Sequence, residues 1–554
     1  MKRTHTHDRF WIFSKTIFRY KFVNDTSLVL LLSVPFLVLV WQYLTTEYRA
    51  IGDIVFVIDD SWIHLEFAKN IAWGNGFSFN PHEPIAASTA PLYTILVAGL
   101  YLISPDHITS LIYMMTIMLT MGTIGLTYSI TKHVTNSLLF SVLTALSISL
   151  NPWLTWSALS GMEISVGMFL LVFAIWSYVT KNSQTTWRRF LPAFLFALVT
   201  LVRPESYSFL LAYMLFEVIR MAYLRFRNRL TSIEMVKNLG LLTVVILVVI
   251  LPYGLFSLAT AGSFFPNTYA AKVGNLGLAG MLTSTDSVAS IYRSISAMVS
   301  TYFKHYFSEL LTIHPWVRWM YIVMLPVYGY EAYKRKKLRI LVLPTICLIF
   351  PLMVGMMVPE DRISWPWNRH MLYLVPTVVL TSFIGTFFLY FRLKRIPMAG
   401  TIVVALIMVT TIVSLQKSIP EVRQFFIDRT VSMKQNHIAL AEWVRHTIPP
   451  EAVVAASDIG VIGYYTDNYI VDTEGLINPR ISAFSQRRNS ELKDAEVLAY
   501  LTEKKPDYLI KFDWVYPSFQ PADFRLIHSS TSLGVYTTPW TRYRINGSGT
   551  YTEF

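Results

Sequence analysis

Charge is scarce in this chain. Only 15% of its 554 residues are Asp, Glu, Lys or Arg, against 53% hydrophobic and a mean hydropathy of +0.44. Soluble domains carry nearer a quarter charged residues, so the composition excludes an ordinary soluble protein and points to a polytopic membrane protein. Cysteine is rarer still. Cys347 stands alone inside an apolar run, which excludes an intrachain disulfide. Acids are the minority, 34 against 47 Lys and Arg, for a formal net charge of +13. The basic residues form short clusters between apolar runs, as cytoplasmic loops do, and are not laid out as a nucleic-acid surface. Internal repeats, low-complexity tracts and a Gly-rich phosphate loop are also missing.

What is present is a long series of apolar runs. A basic, cytoplasmic N-terminus (1–26) is expected to precede a retained first helix near 27–44, since no small-residue cleavage site follows it. Further runs lie near 89–104, 108–130, 137–151, 158–180, 189–202, 206–224, 240–260, 316–332, 340–358, 370–391 and 398–416. Basic clusters at 181–189, 220–237, 334–339 and 392–395 fit one side of a membrane without contradiction. Upstream, four runs separate the loop 47–88 from Lys181, where an odd number of crossings is required. Either one run does not cross, the short 137–151 being expected as that one, or two helices are merged or one is split among these runs. Roughly 11 to 13 spans follow, in a transmembrane module over 27–418. The segment 296–312 has the wrong parity for a span and reads as an interfacial helix. After about residue 418 charges become frequent. Strand-like stretches (EAVVAASDIGVIGYYT, NYIVDT, PDYLIKF, FRLIHSS, LGVYTTP) alternate with amphipathic helices (HIALAEWVRHTI, ELKDAEVLAYLTEK). This predicts an α/β domain over 419–554, placed outside by parity.

The loop 47–88 is the stretch around which the rest is organised. It opens on Asp59 and Asp60, continues as a helix to about Trp73, and ends at Gly74 and Gly76. Its apolar residues gather on one side, the pattern of a helix lying in a membrane interface. Either Asp could simply cap that helix; a pair can also supply a general base for an acceptor hydroxyl. Asp60 and His64 stand at i,i+4 and leave a divalent metal open, but no third ligand is identifiable. No cofactor is expected. Glu163, Arg203 and Glu205 sit at outer ends of apolar runs, where ionisable groups are functional candidates; an ion pair that only joins helices is the alternative. Asn267, Lys272, Arg369 and His370 fall at the same outer level. The cations among them suit a lipid phosphate, or else snorkel to headgroups. Asp458, Asp472 and Glu474, at probable strand ends of the α/β domain, could contact an acceptor or serve structure alone.

IDDSWIHLEFAKNIAWGNGFSFNP with the following APLY resembles the first outer loop of membrane glycosyltransferases of the GT-C class. The bacterial polyprenyl-phosphate-dependent enzymes are most similar, among them the terminal arabinofuranosyltransferases. SGMEIS, VRPES, FPNTYAAK and NRHMLYLVP resemble further motifs of that group in the same order, and DIGVIGYYTDNYIVDTEGLINP resembles their outer domain. The resemblance implies a GT-C fold in a cell's inner or plasma membrane, with the C-terminal domain outside the cytoplasm. It implies transfer of a sugar from a polyprenyl phosphate to a glycan, lipid or protein acceptor, with an acid of the first outer loop as base. Asp59 is expected in that role and Asp60 beside it, with at least two of Arg203, Lys272 and Arg369 lining the same cavity. The chain departs from the group at Ser61-Trp62 and His64, which bears on the sugar. A transporter or flippase of lipid-linked sugars is the alternative, though such proteins often show internal repeats.

Overall fold

The computed structural model describes residues 25–180, 190–272, 317–335, 338–357, 369–393, 398–485, 490–513, 523–545 and 551–553, with a few isolated positions between them. The expectations for the N-terminus 1–24, the basic cluster 181–189 and most of the segment 296–312 lie outside these residues.

Each apolar run within the described residues becomes a helix. They are α1 (Asp25–Ile51), α2 (Asp59–Ala72), α3 (Pro91–Ile103), α4 (Ile108–Thr135), α5 (Leu138–Ser149), α6 (Pro152–Ala158), α7 (Ile164–Val179), α8 (Leu191–Thr200) and α9 (Tyr207–Phe226). There follow α10 (Ser232–Ala261), α11 (Asn267–Lys272), α12 (Val317–Lys334), α13 (Val342–Met357), α14 (Arg369–Leu372), α15 (Val375–Leu393) and α16 (Ala399–Ser432). Among the described residues, four stretches are long and apolar enough to cross a membrane alone: α1, Pro105–Thr135 (which includes α4), α10 and α15. The pair α5–α6, bent by 56°, would make a fifth. Exposed apolar side chains cover the outward faces of α10 (Val244, Val248, Leu251, Leu255) and α16 (Ile402, Leu406, Val409, Ile412). A lipid environment accounts for such faces; water does not. The chain is a polytopic membrane protein.

The run that fails to cross is α3, and not 137–151. Its thirteen residues reach about 20 Å, short of a hydrocarbon core of about 30 Å. Both its ends stay at one end of the bundle. Tyr93, near its start, donates to the Gly161 carbonyl, and Tyr101, near its finish, bonds Tyr464 of the C-terminal domain. Helix α4 then runs from Tyr113, bonded to the Val55 carbonyl, to Lys132, bonded to Asp25 at the far end of α1. The α5–α6 pair returns through its bend to Gly161, and α7 leaves again. Three crossings separate the loop from residue 180, so parity is satisfied.

Helix α16 continues through Pro420 to Ser432, so the change of composition near 418 falls inside one continuous helix of about 51 Å. It ends in a π-helical turn, Met433–Ile438, followed by α17 (Ala439–Thr447). The domain beyond holds β1 (Val453–Ala456), α18 (Gly460–Tyr465), β2 (Tyr469–Asp472), α19 (Pro479–Ser485), α20 (Ser490–Lys504), β3 (Tyr508–Phe512), β4 (Leu526–Ser529) and β5 (Leu533–Thr537), then a small pair β6 (Tyr543–Ile545) and β7 (Tyr551–Glu553). The main sheet has the order β2-β1-β3-β5-β4, with β1 parallel to β2 and β3 and the other pairs antiparallel. All five expected strand regions are found. The second half of the first one, GVIGYY, is the helix α18 instead of strand, because it packs on the first outer loop and not in the sheet. The carboxyl ends of β1 and β2, where ligands of open parallel sheets commonly bind, carry Asp458 and Asp472 and adjoin that loop.

Candidate active site

Helix α2 is not an amphipathic helix lying on a surface. Ser61 through Ala68 are all buried. One flank packs on α3 and the other on α18. Trp62 lies 5.1 Å from the rings of both Tyr464 and Tyr465. The polar residues that look like a solvated face are internally satisfied: Glu66 pairs with Lys69 and Asn70, and Asn70 also donates to the Phe79 carbonyl. The loop is fastened below as well. Ser61 donates to the Ser160 carbonyl, and the Phe56 ring stands where a Cβ on Gly161 would be. Gly161 has a φ of 73°, so it alone permits both this conformation and that close approach.

Neither Asp59 nor Asp60 caps α2: Ile58 precedes the helix and no side chain bonds its first N–H groups. The two acids point to different partners. Asp59 accepts the N–H groups of Gly460 and Val461 at 2.9 and 2.8 Å. It therefore caps α18 and ties the first loop to the C-terminal domain. A Cβ on Gly460 would lie 2.2 Å from the Asp59 carbonyl oxygen, so only glycine allows the approach. Burial, and then the charge of Asp458, push the Asp59 carboxyl up to about 7, against the pull of His437 and the two N–H bonds.

Asp60 faces the other way. Its Oδ2 binds Lys272 Nζ at 3.0 Å and Arg369 Nη2 at 2.9 Å. Burial works against its charge, but the two cations hold the carboxyl far below the usual range. Lys272 is delivered by the short α11, whose start is pinned to the first loop: Asn267 N–H donates to the Ala86 carbonyl and the Thr268 hydroxyl to that of Ala87. Arg369 is buried, and among the described residues its Nε and Nη1 have no hydrogen-bond partner. A guanidinium buried with two of its three nitrogens unanswered is costly.

Behind this pair lies a network centred on Arg203. Arg203 uses Nη1 on Glu163 at 2.7 Å, Nε and Nη2 on Glu205 at 3.2 Å each, and Nη2 again at 3.3 Å from His370 Nδ1. His370 Nδ1 also sits 2.7 Å from Glu205, and Tyr373 donates to Glu163 at 3.1 Å. His64 meets Ser88 and Thr94 through Nδ1 and stands 3.7 Å from Glu163 through Nε2. Both of its ring nitrogens are thus turned toward these three side chains. Among the described residues no group of three His, Cys, Asp or Glu side chains is arranged to hold a metal ion.

The structure thus brings together Asp60, His64, Glu163, Arg203, Glu205, Lys272, Arg369 and His370. Lys272 and Arg369 converge, but on Asp60; Asp59, with which they were expected to share a cavity, faces Gly460 and Val461 instead, and Arg203 belongs to the network behind. Asn267 does not join them. Its amide nitrogen donates to the Gly475 and Leu476 carbonyls and its oxygen accepts from Ser482, so it stitches α11 to the C-terminal domain. Asp472 is likewise spent on structure, accepting from the N–H groups of Glu474, Gly475 and Ile477. Glu474 pairs with Lys493 and Tyr516. Asp458 lies next to the Asp59 clasp and 3.3 Å from His437 Nε2.

Sequence reasoning misses His437, Tyr373 and Gly460. Tyr373 follows Arg369 by one helical turn, which is a usable signal. His437 sits in the π-helical turn within a polar stretch without a motif. Its Nδ1 is buried without a partner. Burial lowers its basicity, and the carboxylates Asp458 and Asp59 outweigh that and raise it.

A helical bundle whose first loop carries a paired acid, buried against cations from later loops and capped by a C-terminal α/β domain, defines the GT-C class of fold. Solved structures of that class are similar along nearly the whole chain. The archaeal oligosaccharyltransferase AglB from Archaeoglobus fulgidus, in complex with an inhibitory peptide and a dolichol-phosphate, aligns at 12% identity and TM-score 0.55, covering 88% of this chain and 69% of that one. ArnT from Cupriavidus metallidurans bound to undecaprenyl phosphate aligns at 10% identity and TM-score 0.52, covering 90% and 97%. These support the GT-C class without singling out the arabinofuranosyltransferases within it. Residues 427–552 match a family model described as a domain of unknown function, DUF8728. No curated protein matches the chain.

Proposed function

We propose that this protein is a glycosyltransferase that moves a sugar from a polyprenyl-phosphate donor to a cell-envelope glycan, lipid or protein, on the outer face of the inner or plasma membrane. The observation that carries it is Arg369: buried, turned toward Lys272 by a shared carboxylate, and with two nitrogens unanswered. A phosphate oxyanion answers such nitrogens, and guanidinium suits it through paired donors. In support, AglB and ArnT of the same fold were solved with dolichol-phosphate and undecaprenyl phosphate.

The acceptor hydroxyl attacks the anomeric carbon, the bond from that carbon to the phosphate oxygen breaks, and the polyprenyl phosphate leaves with the bonding pair. Negative charge grows on the phosphate, where Arg369 and Lys272 stabilise it more than in the ground state. Asp60 holds these two cations together. Asp59, on the side of the C-terminal domain, takes the acceptor proton. Its two N–H bonds occupy one lone pair on each oxygen, and a carboxyl raised toward neutrality is a better base than one clamped by cations.

The test is release of free polyprenyl phosphate from sugar-charged polyprenyl phosphates incubated with the purified protein and envelope extract. Release by the native protein that is lost in Asp59→Asn is the expected outcome. Full activity in both Asp59→Asn and Asp60→Asn would sink the mechanism, and loss in Asp60→Asn alone would exchange their roles. A transporter or flippase would bind the charged lipid and release no sugar-free product.

A further inference from the structure

The bundle has a second cationic site at its other end. Helices α4, α7 and α9 all start near the first outer loop, at Ile108, Ile164 and Tyr207, and run away from it. At their far ends they enclose, with the turn Leu338–Leu341, a cavity of about 290 Å³. That is the space of on the order of ten waters. The sixteen residues of α7 put it about 24 Å from Glu163, in the opposite leaflet.

Its walls divide by chemistry. Val134, Val179 and Leu338 supply an aliphatic side; Arg220, Arg339 and His133 supply a basic one, and none of the eight lining residues is acidic. Arg220 is held rigidly from behind: Glu217 accepts its Nε at 2.7 Å and Nη2 at 2.8 Å, while Tyr178 bonds the same carboxylate. That grips one edge of the fork and leaves the Nη1 edge for another partner. The Arg339 guanidinium stands over the Tyr178 ring at 5.7 Å. Two guanidiniums from separate basic clusters are thus fixed at one small cavity, with the single carboxylate of Glu217 set behind Arg220.

We propose that this cavity binds a phosphate group, as the headgroup of an anionic membrane lipid or as free phosphate. Planar forks match phosphate oxygens, and basic pockets between membrane helices suit lipid headgroups, with the aliphatic wall taking the first carbons of the chains. The site is separate from the Arg369 site and does not depend on the function proposed above.

Native mass spectrometry of the full-length protein tests it, with phosphatidylglycerol, phosphatidylcholine and inorganic phosphate as probes. We expect at least tenfold preference for phosphatidylglycerol over phosphatidylcholine. Arg339→Gln should reduce it fivefold or more and Arg339→Lys less, with binding of undecaprenyl phosphate unchanged in both. Millimolar inorganic phosphate that binds without any lipid preference, and is lost in Arg339→Gln, would make free phosphate the ligand. Equal binding of the two lipids together with no phosphate binding overturns the proposal, as does full selectivity in a folded Arg339→Gln protein. Should that variant fail to fold, competition in the native protein decides: inorganic phosphate must displace phosphatidylglycerol, and failure to do so rejects the site.

Discussion

Arg203 and Arg369 are both buried arginines at the same end of the bundle, and they have opposite economies. Every nitrogen of Arg203 is answered, by the carboxylates of Glu163 and Glu205. Among the described residues, only Nη2 of Arg369 is answered, by Asp60. A buried guanidinium whose nitrogens are all answered rigidifies what surrounds it; one with nitrogens left over is retained against its cost. The comparison separates a cation that builds the site from a cation that waits for a ligand. The sequence alone presents both simply as arginines at outer helix ends.

The largest effect should come from breaking the network around Arg203. Arg203→Ala leaves Glu163 and Glu205 buried without their common partner. Removing one member of a buried ion pair costs on the order of 3–5 kcal/mol. We expect loss of folded protein or a steep fall in Tm in detergent, and a normal melt would mean that this network is not structural. Arg369→Ala should do the reverse. Asp60 keeps Lys272, so the melt changes little, while turnover of the charged lipid falls on the order of a hundredfold, as for a lost oxyanion donor. Arg369→Lys should recover only part, since a point charge cannot grip two oxygens. An Arg369→Ala enzyme that turns over normally at saturating donor would end its role at the phosphate.

A smaller effect sharpens the same contrast on the two aspartates. Gly460→Ala places a Cβ 2.2 Å from the Asp59 carbonyl oxygen and 2.6 Å from its Oδ2. Neither can yield easily, because both are fixed by α2 and α18. Overpacking of this kind costs about 1–3 kcal/mol. We expect faster proteolysis across the junction of the loop and the C-terminal domain, with undecaprenyl-phosphate binding at Lys272 and Arg369 unchanged. Equal loss of both would show that the two aspartates do not act separately.

The helical layout was legible because apolar periodicity survives in any context. So were most of the charged side chains now found together, since ionisable groups at helix ends stand out against an apolar background. Three things were not. Hydropathy cannot tell the thirteen residues of α3, packed along α2, from thirteen that cross. The composition break at 418 marks where α16 leaves apolar surroundings, not where it ends. And the partner of Asp59 is a pair of backbone N–H groups roughly 400 residues away; backbone donors have no sequence signature, so the clasp was invisible and Asn267, part of the same stitching, looked like a ligand residue.

The finest test concerns pH and asks whether Asp59 is a clasp, a base or both. Its carboxyl is moved by burial and Asp458 from an ordinary 3.8 to about 7. An acid raised on folding holds its proton in the folded state while the unfolded chain has lost it, over the window from about 4 to 7. Stability therefore falls as pH rises through that window and is flat above it. Catalysis by the same group has the opposite slope: the base is protonated below about 7, so kcat/KM drops up to tenfold per pH unit on the acid side. His437 and Asp458 face Asp59 from the C-terminal domain, and the imidazole, itself raised by the two carboxylates, keeps Asp59 lower while it is charged. Comparison of Tm and of donor turnover between the native protein and Asp59→Asn, from pH 4 to 8, separates the two contributions. Opposite slopes in the native protein, with a shallower fall of Tm in the variant, are the expected result; burial also raises Glu66 to about 7 and Asp472 to about 6, so these two keep part of the Tm slope when Asp59 is gone. A falling Tm without an acid limb in turnover would leave Asp59 as the clasp alone and pass the proton to another group.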